Sequence, residues 1–233
     1  RRYKIQRIYG VPFEATASMV RGSVYHKVVA EWLLSIKDEK EFNVEESVIH
    51  MYNLPEFVKF ATPENMQTVL EMVKAYMIVA APVMTKDNIY KVENDVSIPI
   101  NFDSNFKNEH EARCIFDLIT ENGVIVEHKT SWKPWNDESI ERYRVQYEMQ
   151  MLIAQSFTKF QVHLMQEKPP RFSIIVVERQ WSKEFTIELL RNVCNGIESK
   201  SFPAIVAEHC KRCPVFQECR SMKYDRLDTE TNL

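Results

Sequence analysis

Apolar residues in the first third of the chain recur at the spacing of a helix. Between Ser18 and Lys37 they fall on one stripe, which contains Gly22, His26, Val29, Leu33 and Ile36. A second helical stretch opens at Pro63 and reaches about Ala81. The charged residues from Lys37 to Glu46 predict a solvated segment between the two helices.

The pattern changes from helical spacing to strand-like alternation after a mostly helical part that spans 1–85. Alternation and turn residues predict five strands, over Ile89–Ile100, Glu111–Thr120, Val124–Thr130, Phe160–Gln166 and Phe172–Glu178. Two more helices are predicted, over Asp137–Thr158 and Trp181–Ser199. This order of elements predicts one α/β domain over 1–233, with its mixed central sheet and main helix within 86–180.

The hairpin "FDLITENGVIVEHKTS", which runs from Phe116 to Ser131, carries charged residues beside its own apolar core. Its turn is Asn122-Gly123. Because side chains alternate between the faces of a strand, Glu127 and Lys129 share one face. Asp117 lies within the first strand, where pairing through the turn brings it towards Glu127. A buried acid needs a partner, and a metal ion is one such partner.

Two converging carboxylates and a backbone carbonyl form an oxygen-rich site of the kind that Mg²⁺ or Mn²⁺ prefers. Such a metal lowers the pKa of a bound water and stabilises charge on a phosphoryl oxygen. Lys129 can then hold the water or counter the developing negative charge. The alternative is a surface salt bridge between Glu127 and Lys129 on an edge hairpin, without catalytic meaning.

Composition narrows the class of protein. Of the 233 residues, 45% are hydrophobic and 27% are charged, as in ordinary globular proteins. Only four glycines occur, which argues against a glycine-rich phosphate loop. The net charge of −3 leaves room for a local basic groove but not for a protein coated in nucleic acid. No signal peptide or bilayer-spanning run is visible, so we expect a cytoplasmic protein without membrane contact.

Three of the five cysteines lie together in "EHCKRCPVFQEC", within residues 205–220. The C-x-x-C-x5-C spacing predicts metal ligation in a reducing compartment rather than a disulfide framework. His209 with the three cysteines could form a Cys₃His zinc site, and the cysteines could also bind no metal.

"FDLI" followed by "VIVEHKTS" resembles the D-x(n)-E-x-K core of the PD-(D/E)XK nuclease superfamily. It is most similar to the RecB-like exonuclease branch, which includes the AddB subunit and CRISPR-associated exonucleases. The resemblance implies a restriction-endonuclease-like core and a metal-dependent deoxyribonuclease that acts as an exonuclease. In such an enzyme Mg²⁺ or Mn²⁺ is bound by Asp117, Glu127 and the backbone carbonyl of His128, and Lys129 is catalytic.

Further positions match the family in the same order. His26 stands four residues after Gly22 in "VRGSVYHKVVAEWL", where the family has a metal-binding histidine. Glu93 in "YKVENDVSI" is a candidate for the acid that precedes the catalytic hairpin, with Asp95 as a rival. Gln146 stands at the glutamine of the family's helix and completes the implied catalytic set, while Gln150 replaces the aromatic residue expected four positions later.

The resemblance also implies a DNA-contacting surface on this helix and after the hairpin. Its candidate residues are Tyr143, Tyr147, Gln150, Lys133 and Arg142, through phosphate contacts and stacking on bases. The implied substrate is a linear DNA end, single- or double-stranded, in recombination, repair, phage or CRISPR processing. A helicase, recombinase or integrase is the implied partner.

The cysteine motif resembles that of the iron–sulfur members of this branch. The resemblance implies a [4Fe–4S] cluster held by Cys210, Cys213 and Cys219, with Zn²⁺ as the alternative. The family's fourth cysteine precedes a stretch like the opening "RRYK", so we expect the fourth ligand upstream of Arg1. Two other interpretations stay open: a degenerate DNA- or protein-binding module of the same fold, and a zinc-stapled interaction domain.

Overall fold

The structure, a computed structural model, describes residues 15–100, 110–154 and 159–199. Its α-helices are α1 (Ala17–Lys37), α2 (Val44–Tyr52), α3 (Pro63–Ala80), α4 (Asp137–Glu141), α5 (Arg144–Ile153) and α6 (Lys183–Glu198). Its strands are β1 (Ile89–Pro99), β2 (Glu111–Thr120), β3 (Val124–Ser131), β4 (Lys159–Glu167) and β5 (Pro170–Val177). None of the helices in these ranges is long and apolar enough to cross a membrane.

The strands lie side by side in chain order, from β1 to β5. Neighbouring strands are antiparallel except for β3 and β4, which run parallel. A parallel pair needs a crossover connection, and the segment with α4 and α5 supplies it. The predicted α/β fold with a mixed central sheet is therefore confirmed.

Helices cover both faces of the sheet, and each face has its own apolar core. On one face α1, α2 and α3 pack together and bury Val24, Tyr76 and Leu118. On the other face α5 packs Tyr147 against Phe160 of β4, and α6 lies against α5. The crossover of the parallel pair thus places α5 opposite the three N-terminal helices.

A buried ion pair ties α1 to the end of β4. Arg21 donates from Nε and Nη2 to Glu167 Oε2 at 3.0 and 2.6 Å, and from Nη1 to Asn65 Oδ1 at 2.9 Å. The helix also runs close to β3, because a Cβ atom on Gly22 would lie 2.8 Å from Thr130 Oγ1. A glycine permits this approach, and the contact brings the next turn of α1, with His26, beside the sheet.

The structure corrects two predictions about local structure. Helix α2 begins in the segment predicted to be merely solvated, because the Asn43 side chain caps it by accepting from the N–H groups of Glu45 and Glu46. The helix predicted over Asp137–Thr158 is wrong as one element, since α4 and α5 are separated by a turn at residues 142–143. Tyr143 lies in this turn, and its ring stacks on Trp135.

Candidate active site

The hairpin of β2 and β3 opens beside its charged residues. Paired residues in this ladder are confined to two positions, Leu118 with Val126 and Ile119 with Ile125. One residue further, Asp117 Oδ2 accepts a hydrogen bond from the backbone N–H of His128 at 2.6 Å. The carboxylate therefore takes the role of the missing backbone acceptor at the point where the two strands separate.

The regular alternation of β2 is interrupted at the same place. Residues two apart in a strand normally share a face, yet Phe116 packs in the core beneath α5 and Leu118 in the core beneath α1. Across the β1–β2 ladder, the residue opposite Asp117 is Glu93, whose φ of 49° lies in the left-handed region. Such a backbone is uncommon for a residue other than glycine and is enriched at functional sites.

The Glu127 carboxylate is held from several sides on the face of β3 that meets α5. Lys129 Nζ donates to its Oε1 at 2.6 Å, and Gln146 Nε2 donates to the same oxygen at 2.7 Å. Gln150 Nε2 donates to the other oxygen at 2.7 Å. Glu127 is buried and Lys129 is mostly buried, so this ion pair is not the exposed surface salt bridge of the alternative interpretation.

Two histidines stand on the other side of Asp117. Nδ1 of His26 on α1 lies 3.4 Å from Asp117 Oδ2, and Nδ1 of His128 lies 3.7 Å from the same atom. Burial opposes ionisation of Asp117, but the hydrogen bond and charge of His26, with help from the hydrogen bond of the His128 backbone N–H, hold the pKa of this carboxyl below its usual range. A carboxylate at this position is therefore ionised in the folded protein.

Carboxylates crowd this end of the hairpin. Partial burial of its carboxyl, followed by the negative charges of Asp117 and Glu127, raises the pKa of Glu93. Glu93 as a residue is exposed, and it lines an open cavity of about 550 Å³ with His26, Asp117 and residues of α1. Negative charge thus converges on a space that solvent can enter.

The donor chemistry of this space fits a hard divalent cation. Carboxylate oxygens are the ligands that Mg²⁺ prefers, and a cation would relieve the repulsion that raises the pKa of Glu93. Among the described residues, no three histidine, cysteine or carboxylate side chains already lie together as a preformed metal site. Asp117, Glu93 and His26 line this cavity, and Asp117 is the carboxylate that could hold the ion there. Glu127 lies outside its lining, on the face of β3 that meets α5.

A column of aromatic rings lies beside Lys129. Trp135 and Tyr143 stack with centroids 5.0 Å apart and planes 9° apart, and Tyr143 lies 6.1 Å from Tyr147. Tyr147 in turn contacts Phe160 in the core. Lys129 Nζ lies 5.2 Å from the centre of the Tyr143 ring, which is a cation–π distance. The outer part of the column is accessible, since Tyr143 is 38% exposed.

The predicted DNA-contacting residues separate into two groups. Lys133, Arg142 and Tyr143 are exposed on the surface that follows the hairpin. Tyr147 is 0% exposed and Gln150 is 3% exposed, so the prediction that these two contact DNA is wrong. The turn between α4 and α5 directs both side chains inward, where Tyr147 fills the core and Gln150 supports Glu127.

Tyr76, His128 and His163 form a buried polar network behind β3 that the sequence did not predict. Tyr76 of α3 bonds through its hydroxyl to His128 Nε2 at 2.9 Å and to His163 Nδ1 at 3.3 Å. Burial is the main cause that lowers the pKa of His128 to about 4 and that of His163 to about 3, so both rings are neutral. The sequence offers no spacing that joins residues so far apart.

The cysteines proposed as cluster ligands, Cys210, Cys213 and Cys219, lie outside the described residues. Of the two cysteines that are described, Cys194 is buried in α6 and Cys114 is partly buried in β2.

The sequence that forms this charged hairpin matches a known protein family. The model of the PD-(D/E)XK nuclease superfamily matches residues 1–220. The chain belongs to this superfamily. Where the hairpin opens, the structure places Asp117 against the backbone N–H of His128 and Lys129 against Glu127. The five-stranded mixed sheet flanked by helices agrees with the fold of this nuclease family.

Solved structures resemble this nuclease at low sequence identity. One, named "Putative exonuclease", comes from Eubacterium rectale; it is 13% identical, with a TM-score of 0.58 over 90% of this chain and 79% of that chain. Another, SSO0001, is 11% identical, with a TM-score of 0.45 over 92% of this chain and 91% of that chain. The likeness to the Eubacterium rectale protein supports the fold alone. No curated protein matches this sequence.

Proposed function

We propose that this PD-(D/E)XK nuclease is a divalent-metal-dependent DNA exonuclease of RecB-like type. The observation that supports the proposal best is the contact of Lys129 with Glu127 at 2.6 Å, near a partly buried, ionised Asp117. Membership of the superfamily supports nuclease activity in general. The name of the Eubacterium rectale protein agrees with the exonuclease class.

The proposed metal ligands are Asp117, Glu127, the backbone carbonyl of His128 and His26, with Glu93 as a further candidate. A bound Mg²⁺ or Mn²⁺ would supply water activation and charge neutralisation at the phosphate. His26 and the His128 amide keep Asp117 ionised, which is the state that a cation needs. His128 presents its backbone to this side because its own ring is turned into the core.

Lys129 is proposed to orient the attacking water and to neutralise the charge that develops on the phosphate. Its ammonium is held between Glu127 Oε1 at 2.6 Å and Gln146 Oε1 at 3.4 Å. Because these two contacts already fix the ammonium, little side-chain conformational freedom is lost when the phosphate reacts. Gln146 is half-buried and can keep Lys129 in place while its outer side meets the substrate.

The DNA strand is proposed to leave the site over the exposed aromatic and basic surface. Tyr143 and Trp135 offer a stacking surface for bases, while Lys133 and Arg142 offer charge for the phosphates. Arg142 forms an exposed ion pair with Glu138 at 2.7 Å, which a phosphate can replace at small cost. The role of a helicase, recombinase or integrase, and the pathway, stay predictions from the resemblance.

The cysteine motif is proposed to hold a [4Fe–4S] cluster through Cys210, Cys213 and Cys219. Three thiolates leave one iron position for a further ligand, and zinc is the alternative metal. Protein purified without oxygen is expected to contain iron, and Cys213→Ser is expected to lose it, with Cys194→Ser as the matched control. Elemental analysis that finds zinc without iron, or neither metal, would contradict the cluster.

Incubation of end-labelled linear DNA with Mg²⁺ or Mn²⁺ is expected to release the label, while covalently closed circular DNA stays intact. Lys129→Ala is expected to lower the rate at least about 100-fold, because it removes charge stabilisation at the reacting phosphate. Lys74→Ala is the matched control, since Lys74 is also paired with a glutamate, Glu45, but on the helical side of the protein.

Either of two outcomes would contradict this assignment. Cleavage of closed circles at the rate of linear DNA would contradict the exonuclease class and leave a nuclease. Intact linear DNA with either metal, in single- and double-stranded form, would contradict the nuclease and favour a degenerate binding module.

Tyr143→Leu is expected to weaken binding of single-stranded DNA about tenfold, because the aromatic column on which a base would stack loses its middle ring. Fluorescence anisotropy of a labelled oligonucleotide in EDTA measures this without hydrolysis. Tyr90→Leu is the control: Tyr90 is 43% exposed and lies 5.3 Å from Lys91 Nζ, a cation–π pair like that of Tyr143. Equal affinities for Tyr143→Leu and the unmodified protein would show that DNA takes another path.

A further inference from the structure

The hydroxyl of Tyr76 is the point where a helix of the N-terminal layer meets the catalytic strand. It lies 2.9 Å from His128 Nε2 and 3.3 Å from His163 Nδ1. The three residues come from α3, β3 and β4, and each is at most 4% exposed. His128 and His163 are also register partners in the parallel ladder, so one hydroxyl joins both strands to the helix.

His128 is flanked by the two residues that carry the proposed chemistry. Glu127 and Lys129 face α5, whereas the His128 ring faces α3 because neighbouring residues of a strand point to opposite faces. The backbone N–H of His128 donates to Asp117 Oδ2 at 2.6 Å. A shift of residue 128 along or across the sheet would therefore move Asp117, Glu127 and Lys129 together.

The β2–β3 ladder does not fix this part of β3, because its pairs end at Leu118 and Val126. On the side of β4 the pairing continues through His128 and His163. Two polar groups lie close to the His128 side chain: Asp117 Oδ2, 3.7 Å from its Nδ1, and the Tyr76 hydroxyl of α3, 2.9 Å from its Nε2. The His128 ring also packs against the rings of His26 at 6.1 Å, Tyr25 at 6.5 Å and His163 at 5.6 Å.

We propose that Tyr76 is a positioning residue for this active site: its hydroxyl, through the His128 ring, sets the place of the E-x-K segment relative to Asp117. The expected effect on hydrolysis rests on the proposed nuclease function. The effect of Tyr76 on the position of His128 does not depend on the reaction. Tyr76 itself is fully buried and contacts no substrate.

Two substitutions separate this role from simple packing. Tyr76→Phe keeps the ring and removes the bridging hydroxyl. Tyr25→Phe removes a hydroxyl that is equally buried and has no hydrogen-bond partner among the described residues, although its ring also contacts His128. Both variants should fold, since each removes one oxygen and leaves the apolar volume of the core nearly unchanged.

Amide hydrogen exchange at His128 is the direct readout, with core amides of β4 as the internal reference. Tyr76→Phe is expected to accelerate exchange at His128 roughly three- to tenfold relative to that reference, as expected for the loss of one buried hydrogen bond. Tyr25→Phe is expected to leave the ratio unchanged. In the DNA assay, Tyr76→Phe is expected to lower the rate by a similar factor and Tyr25→Phe is not.

The inference is overturned if Tyr76→Phe leaves His128 exchange unchanged relative to β4, or if both variants accelerate it equally. It is also overturned if exchange changes while hydrolysis by an active protein does not. If the unmodified protein hydrolyses no DNA, the proposed function fails. The exchange ratio then still shows whether Tyr76 sets the place of His128.

Discussion

The site depends on one hydrogen bond, from the backbone N–H of His128 to the Asp117 carboxylate. A backbone donor inside a protein must find an acceptor, and at this point the β2–β3 ladder no longer supplies one. The carboxylate fills that need and is thereby fixed next to the E-x-K segment. The same separation of strands lies beside the open cavity that Asp117 lines with His26 and Glu93.

Strand β3 serves two purposes because its side chains alternate. Glu127 and Lys129 form a charged cluster with Gln146 and Gln150 on the α5 face. His128, between them, belongs to a buried network on the α3 face. The helices on the two sides of the sheet therefore support the same three residues from opposite directions. This arrangement gives a precise site on a rigid strand rather than on a loop.

Much of this architecture follows from the sequence. The change from helical spacing to alternation predicts the five strands and their mixed central sheet, and alternation alone places Glu127 and Lys129 on one face. The resemblance then selects His26 and Gln146, which lie beside Asp117 and Glu127 respectively.

Other features depend on contacts that no local pattern contains. The left-handed backbone of Glu93 arises opposite Asp117 in a neighbouring strand. The turn between α4 and α5 changes the helical phase, so Tyr147 and Gln150 point into the protein instead of towards DNA. Tyr76 reaches His163 across 87 positions of sequence, and no local pattern in the sequence indicates that pair.

We propose that a divalent ion binds at Asp117, where the hairpin opens. Titration of the protein with Mn²⁺ in the absence of DNA, followed by electron paramagnetic resonance, measures this binding. Asp117→Asn keeps an acceptor for the His128 N–H but removes the charge; Asp95→Asn, on the exposed part of β1, is the control. Saturable Mn²⁺ binding is expected, and Asp117→Asn is expected to weaken it at least about tenfold, as loss of a charged ligand should. Equal binding in Asp117→Asn and the unmodified protein, or none in either, would contradict it.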